Sequence, residues 1–333
     1  MKKGISVVIC TYNGKNRLVE TLIHLIKQNA NIDWEIVFVD NASVDNTLGF
    51  IIQWWAENGN KDIPIMFLSQ PRPGKQYAQE LGYDKANYEY LLVCDDDNWL
   101  CDTYVQTAFE VMESDDQIGA LGGWCDAVFE TDKPHWFDLF ASNYAIVKQM
   151  VSSGDITNSR GVLYGAGMVI RKSHWLNLEK RGFNPLLTCR KGDTLSSGGD
   201  TEYSFVLRLI GFKMWFDERL YFKHYMTEGR LNLTYLRKLR KGMSTANVEL
   251  KCYVDELNAR PLSRYFYLKK IMDTIFKYFW KNLFRFFSPN LGKKEKSKSY
   301  FRELRIMIFS YNSWLTNRRI IRAWLQSDPK DSL

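Results

Sequence analysis

Several features that would classify a chain of 333 residues at a glance are missing from this one. No G-x-G-x-x-G or G-x-x-x-x-G-K-[ST] loop follows the first apolar run, which continues instead as Thr11-Tyr12-Asn13-Gly14-Lys15. Dinucleotide cofactors and P-loop chemistry are thereby disfavoured, because both cradle phosphate on glycine-rich backbone. The six cysteines, Cys10, Cys94, Cys101, Cys125, Cys189 and Cys252, show no C-x-x-C spacing, which fits a reduced, cytoplasmic setting. No run reaches the roughly 20 apolar residues of a spanning helix. Met1-Lys2-Lys3-Gly4 enters a short strand with too little apolar length for a signal peptide. A soluble or peripheral protein is expected, and no nucleic-acid-binding motif is present.

What is present is unevenly distributed. The net charge of +7 hides a split: residues 260–333 hold 17 Lys and Arg against 5 Asp and Glu, so the preceding body is mildly acidic and carries a basic C-terminal arm. The length suffices for one large α/β domain with an appendage, or for two domains.

Strand-like and helix-like patterns alternate from the start. Ile5-Ser6-Val7-Val8-Ile9-Cys10 is β-branched and breaks at Thr11-Tyr12-Asn13-Gly14, after which Leu18, Leu22, Leu25 and Ile26 predict a helix over 15–29. Glu35-Ile36-Val37-Phe38-Val39 ends at Asp40-Asn41, with a helix carrying Phe50, Ile51, Trp54 and Trp55 beyond it. Ile65-Met66-Phe67-Leu68 leads through Pro71-Arg72-Pro73-Gly74-Lys75 to a helix over 76–87, and then to a strand over 90–94. Four such alternations predict a mostly parallel, doubly wound sheet. In such sheets ligands sit beyond the carboxyl ends of the strands, where this chain places Thr11-Tyr12-Asn13, Asp40-Asn41 and Asp95-Asp96-Asp97.

The three consecutive aspartates repel one another unless a cation lies among them, and a divalent metal is the simplest candidate. Side chains alternate along an extended segment, so Asp95 and Asp97 are expected on one side and Asp96 on the other. An acidic turn capping the next helix is the plainer alternative.

Ile5–Asn13, Val39–Thr47 and Cys94–Asp97 resemble the N-terminal half of the inverting family-2 glycosyltransferases of the GT-A fold. Gly165-Ala166-Gly167-Met168-Val169-Ile170-Arg171 is similar to that family's glycine-containing strand near the donor sugar, and Gly198-Gly199-Asp200-Thr201-Glu202, running into Leu207-Arg208-Leu209, to the stretch that ends in its catalytic carboxylate residue. Over residues 4–240 these motifs keep their order. The resemblance implies that Thr11, Tyr12, Asn13 and Asp40 contact the base and ribose of a nucleotide diphosphate sugar, most often a uridine one. It implies that Asp95 or Asp96 reaches the ribose or sugar hydroxyls, that Gly167 borders the donor, and that Asp97 binds Mn²⁺ or Mg²⁺; the same-side placing of Asp95 and Asp97 makes Asp95 a further candidate ligand. Asp200 would be the general base. Beyond Gly74 the family usually carries Ala-Arg-Asn or similar, whereas this chain has Ala78-Gln79-Glu80, so Lys75 or Arg72 is expected to supply the positive contact.

The chemistry is coherent on its own terms. Direct displacement of a diphosphate needs an acceptor hydroxyl, a base for its proton and neutralisation of the leaving group. Asp200 suits the base role, and it equally suits a helix cap. His224, after a strand-like run, is a candidate metal ligand or a satisfied histidine. Trp124 and Trp136, with His135 between them, are placed where an acceptor sugar would stack, or where aromatic packing would serve, and Glu202 is grouped with them on the acceptor side. Arg230 and the group Arg237, Lys238, Arg240 and Lys241 would meet a diphosphate on the acceptor or form a solvated helix face.

In the arm, residues 265–287 place Leu268, Met272, Ile275, Phe279, Leu283 and Phe286 at helical spacing, with Lys270, Lys277, Lys281 and Arg285 elsewhere; a second stretch over 300–325 includes Trp314 and Trp324. Basic amphipathic helices rich in aromatics fit an anionic membrane surface, packing on the catalytic domain and dimerisation being the alternatives.

The expected architecture is therefore a GT-A catalytic domain over 1–240, with a nucleotide-sugar and metal half at 1–100 and an acceptor half at 101–240, followed by a basic helical region at 241–333. The expected function is metal-dependent, inverting sugar transfer to a saccharide, lipid-linked acceptor in bacterial surface-polysaccharide synthesis. The expected location is the cytoplasm, peripheral on the inner face of the cell membrane, with residues 260–325 on the anionic surface. A sugar nucleotidyltransferase and a non-catalytic membrane adaptor are the alternatives.

Overall fold

The computed structural model describes residues 1–187 and 198–327. Cys189, and Ser196 and Ser197 before Asp200, lie outside them. The chain begins with three strand–helix units and a fourth strand: β1 (Lys2–Thr11), α1 (Leu18–Ile26), β2 (Trp34–Asp40), α2 (Thr47–Asn58), β3 (Ile65–Ser69), α3 (Lys75–Lys85) and β4 (Tyr88–Asp95). Their strands lie in the order β3-β2-β1-β4, all parallel.

Both faces of this half are covered, and the alternation of side chains along each strand shows how. Val8, Val37, Val39, Leu91 and Val93 turn to one face and pack with Ala78 and Tyr83 of α3. Ile5, Val7, Ile9, Ile36, Phe38 and Leu92 turn to the other, against Leu18 and Leu22 of α1 and Ile51 and Trp55 of α2. Buried Glu35 is fully engaged, accepting from Ser6 Oγ (2.7 Å), the Asn87 backbone N–H (2.6 Å) and Asn87 Nδ2 (2.7 Å).

Beyond β4 the sheet changes character. The elements are β5 (Asn98–Leu100), α4 (Tyr104–Ser114), β6 (Ile118–Phe129), β7 (Gly154–Asp155), β8 (Val169–Arg171), α5 (Lys172–Lys180), α6 (Gly199–Leu209) and β9 (Lys213–Met226). Strand β8 runs antiparallel to both β4 and β6, β9 runs parallel to β6, and β5 and β7 pair antiparallel with β9. The described strands thus form one nine-stranded mixed sheet, in which the first half is wholly parallel and the second combines the parallel pair β6 and β9 with antiparallel pairs.

Five helices follow: α7 (Leu233–Glu249), α8 (Lys251–Leu257), α9 (Arg264–Phe286), α10 (Leu291–Phe309) and α11 (Tyr311–Gln326). Residue 240, the expected domain boundary, falls inside α7, where Arg240 donates to Asn143 Oδ1 (3.0 Å), the Glu295 carbonyl (3.0 Å) and Ser299 Oγ (2.8 Å). Arg240 therefore clamps α7 to α10, and its burial pulls the guanidinium pKa down. Trp314, Ile321 and Trp324 of α11 are buried in the same apolar cluster as Val8 and Val93 of the sheet. Each such burial contributes roughly 1.5–3 kcal/mol.

Candidate active site

The register of the parallel strands builds the site. Thr11 lies opposite Asp40, and Cys10 opposite Asp95, so the polar residues that end β1, β2 and β4 share one edge of the sheet. Loops from that edge are tied to one another. Asn13 donates its N–H to Ser43 Oγ (2.9 Å) and accepts the Val44 N–H (2.9 Å), and Asn41 holds the carbonyls of Gln70 and Arg72 and the Gly74 N–H. Lys75 is thereby set at the first turn of α3, facing the edge. Arg72 instead lies over the Tyr77 ring, 3.6 Å from its centroid.

The aspartate triplet does not continue β4. Asp96 and Asp97 form the turn between β4 and β5, held by Asn98, whose Oδ1 accepts the Asp95 N–H (3.1 Å) and whose Nδ2 donates to Asp97 (3.1 Å). The expected alternation of an extended strand therefore does not apply, and each carboxylate has its own cation. Asp95 pairs with Lys75. Asp96 accepts a bidentate pair from Arg17 (2.8 and 2.6 Å) and a bond from Thr11 Oγ1. Asp97, 2% exposed, receives Arg230 Nη1 at 2.8 Å and lies 3.4 Å from His224 Nε2. Burial works against the charges of Arg17 and Arg230, yet both pKa values are raised, through the Asp96 carboxylate at Arg17 and chiefly through Asp97 at Arg230.

Two polar atoms at this edge have no hydrogen-bond partner among the described residues: Asp40 Oδ1 and His224 Nδ1, both buried. Leaving a buried acceptor unsatisfied costs about 1–3 kcal/mol, so Asp40 Oδ1 is poised for an incoming donor group. Tyr12, by contrast, is 56% exposed.

A groove of about 290 Å³ runs from this edge to α6, lined among others by Lys75, Asp95, Gly165, Asp200, His224 and Arg230. Asp200 lies in the first turn of α6; its Oδ2 accepts the Gly165 N–H (2.7 Å) and its Oδ1 its neighbour Thr201's N–H (2.8 Å). A Cβ on Gly165 would come within 3.0 Å of the Asp200 Cβ, so the glycine allows this close approach.

Other expected residues fall elsewhere. Gly167 has φ +73°, and its carbonyl accepts from Tyr104 Oη (2.7 Å), which places it behind the groove wall. Trp124 donates Nε1 to the Glu218 carbonyl (2.9 Å) and packs on Tyr221, away from the groove. Trp136 is buried among Phe137 and Phe140. Glu202, 1% exposed, borders the groove wall but directs its carboxylate to the N–H groups of Leu186 (2.7 Å) and Leu187 (3.0 Å) and to Tyr253 Oη (2.7 Å). It anchors the wall from within, a correction to the acceptor role, and burial raises its pKa despite these bonds. Arg17 went unread in the sequence, although the loop after β1 carries two cations, Lys15 and Arg17, within three positions.

The residues fit a divalent cation in a limited way. Asp97 and His224 supply an oxygen and an imidazole nitrogen at a separation two ligands of one ion can have, and no cluster of three or more His, Cys, Asp or Glu suited to a metal occurs among the described residues. Such a pair suits Mg²⁺ or Mn²⁺ held jointly with phosphate oxygens rather than caged by protein alone. Arg230 now occupies that side of Asp97.

A parallel half whose strand ends carry these carboxylates, joined to a mixed half that brings Asp200 to the same groove, defines the GT-A architecture of nucleotide-diphospho-sugar transferases. Solved structures of that fold superimpose on it: S. aureus TarS 1–349 in complex with UDP (TM-score 0.52, 15% identity, covering 97% of this chain and 91% of that one) and the mannosyltransferase PcManGT from Pyrobaculum calidifontis in complex with GDP-Man and Mn²⁺ (TM-score 0.53, 15% identity, 97% and 86%). The sequence model of glycosyl transferase family 2 matches residues 6–174, and the chain belongs to that family. Among curated relatives, the chondroitin synthase of Escherichia coli is 24% identical over 250 residues, 74% of this chain and 34% of that protein. Glycosyltransferase GlyG of Streptococcus pneumoniae is 28% identical over 148 residues, 44% of this chain and 47% of that protein. The chain thus spans less than half the length of either.

Proposed function

We propose that the chain transfers a sugar, with inversion, from a nucleotide diphosphate sugar, a uridine one in the first instance, to a saccharide acceptor in bacterial surface-polysaccharide assembly. The observation that carries this reading is the shared groove, with Lys75, Asp95, His224 and Arg230 toward the strand edge and the Asp200 carboxylate across from them. The base and ribose would lie over Thr11, Tyr12 and Asp40, where the unpaired Asp40 Oδ1 accepts a donor hydroxyl or N–H.

In the reaction the acceptor oxygen forms a bond to the anomeric carbon while the bond from that carbon to the diphosphate oxygen breaks. Asp200 takes the acceptor's proton, held in place by the Gly165 and Thr201 N–H groups. The electron pair leaves on the diphosphate, within reach of the Lys75 and Arg230 side chains that line the groove. A divalent cation on Asp97 and His224 would neutralise that charge further. The acceptor in this reading is lipid-linked, and the enzyme is peripheral on the cytoplasmic face of the membrane.

Thermal shift with a set of UDP- and GDP-sugars, with and without Mn²⁺, tests it. The correct donor at a hundredfold excess over its Kd stabilises the fold by about 2.7 kcal/mol. Asp97→Ala is expected to abolish the Mn²⁺-dependent part of that shift. Release of no nucleotide from any sugar nucleotide, in the presence of Mn²⁺ and saccharide acceptors, would overturn the proposal.

A further inference from the structure

We infer that one face of α9 is a docking surface for an anionic lipid bilayer. This deepens the proposed function, whose lipid-linked acceptor such a surface would present, and it rests on observations of its own. Helix α9 is amphipathic, and the fold covers only part of its apolar side. Tyr267 and Ile271 are buried, and Ile275 and Phe279 pack inward, Phe279 against Phe301 of α10 at 5.8 Å between centroids. Phe276 (92% exposed), Trp280 (65%) and Phe284 (75%) remain in water, in line with Leu268 and Met272. These five recur every fourth residue, so they form one row about 24 Å long at 1.5 Å per residue that advances about 40° around the axis at each step, with Phe276, Trp280 and Phe284 on one side of the helix. A contiguous apolar stripe of this size marks a contact surface, unlike single exposed apolar residues.

Charge selects the partner. Helix α9 carries six basic residues, Arg264, Lys269, Lys270, Lys277, Lys281 and Arg285, and one acidic residue, Asp273. Lys277 and Lys281, both exposed, each follow a stripe residue directly in sequence and so flank it on one side. A second copy docked about a twofold axis would bring this basic helix against itself, at a repulsive cost. Aromatic residues beside lysines match instead the boundary between acyl chains and anionic headgroups. No helix among the described residues is long and apolar enough to cross a membrane, and α9 would lie along the surface.

The stripe is connected to the catalytic groove through hydrogen bonds. Lys270 of α9 donates to both oxygens of Asp255 on α8 (2.7 Å each), and Tyr253 of α8 donates to Glu202, two residues from Asp200 on α6.

The test uses the full chain and sedimentation with phosphatidylcholine vesicles, with and without phosphatidylglycerol. Wild type is expected to partition onto the phosphatidylglycerol vesicles, and less so as salt is raised. The variant Phe276→Ser/Trp280→Ser/Phe284→Ser changes only exposed side chains; its partitioning is expected to fall on the order of tenfold or more. Its melting temperature and its thermal shift with a sugar nucleotide should stay as in wild type. Equal partitioning of variant and wild type would overturn the inference, as would absence of wild type from the phosphatidylglycerol pellet. A wild-type dimer in sedimentation velocity that the variant dissolves, without vesicle binding, would assign the stripe to a second copy and overturn it too. Nucleotide release in solution is read separately, so loss of turnover with vesicle binding intact counts against the proposed function alone.

Discussion

Asp200 is the residue on which the proposed chemistry turns, and its two N–H partners make it testable without moving it. Asparagine retains an oxygen for the Gly165 N–H but cannot take a proton. Asp200→Asn is expected to lower kcat by about 10²–10⁴ while leaving the donor-induced thermal shift intact; a loss of the shift instead would make Asp200 a structural cap. Sequence singled out Thr11, Asp40, the aspartate triplet and Asp200 as candidates because each is a polar residue at a local boundary, the end of an apolar strand or the start of an amphipathic helix. It missed the pairing of Arg17 with Asp96, separated by 79 positions, because proximity over that distance is made only by the sheet. Trp124 and Trp136 were expected at the acceptor because composition does not tell which way an aromatic ring turns; one packs on Tyr221 and the other in a buried cluster.

At the scale of elements, the two amphipathic stretches of the C-terminal arm looked alike in sequence and proved different. Helix α11 is packed inward around Arg318, which is fully buried and donates to Glu256 (2.5 Å) and to the carbonyls of Pro261 (3.0 Å) and Arg260 (2.6 Å). Replacing it removes donors from a buried carboxylate and two carbonyls. Arg318→Met should therefore cost about 3 kcal/mol in denaturant unfolding, somewhat relieved by Arg322, which also pairs with Glu256. A cost near zero would show that α11 is loosely held. In α9 the apolar pattern was visible but not its orientation: of the expected face, Ile275, Phe279 and Leu283 are partly covered, and the exposed Phe276, Trp280 and Phe284 lay outside it. The spacing that selects Ile275, Phe279 and Leu283 fits the covered row, and nothing in it tells which neighbouring apolar row the fold leaves exposed.

For the whole molecule, the sequence announced the parallel half because its strands are continuous apolar runs separated by helices of ordinary length. The mixed half was not legible: β8 is three residues long, and β9 bears exposed charges along its 14 residues. The apolar cluster that starts at Val8 and extends to Trp324 also predicts how the chain responds to truncation. Ending it before residue 260 would expose the surface that Tyr267, Met307, Trp314 and Ile321 now cover, and the shortened chain is expected to lose its cooperative melt and aggregate. A truncated protein that melts sharply and binds a sugar nucleotide would divide the molecule into separable parts.

The three ion pairs at the strand edge would also bear on how the proposed nucleotide donor reaches the protein. Lys75, Arg17 and Arg230 match Asp95, Asp96 and Asp97 one for one, so from a distance the triplet and its partners present almost no field. A diphosphate approaching in solution is neither repelled by the carboxylates nor steered by the cations. Its capture at this edge would then be governed by diffusion and by exchange of partners at close range, with little dependence on ionic strength until a further positive charge joins it.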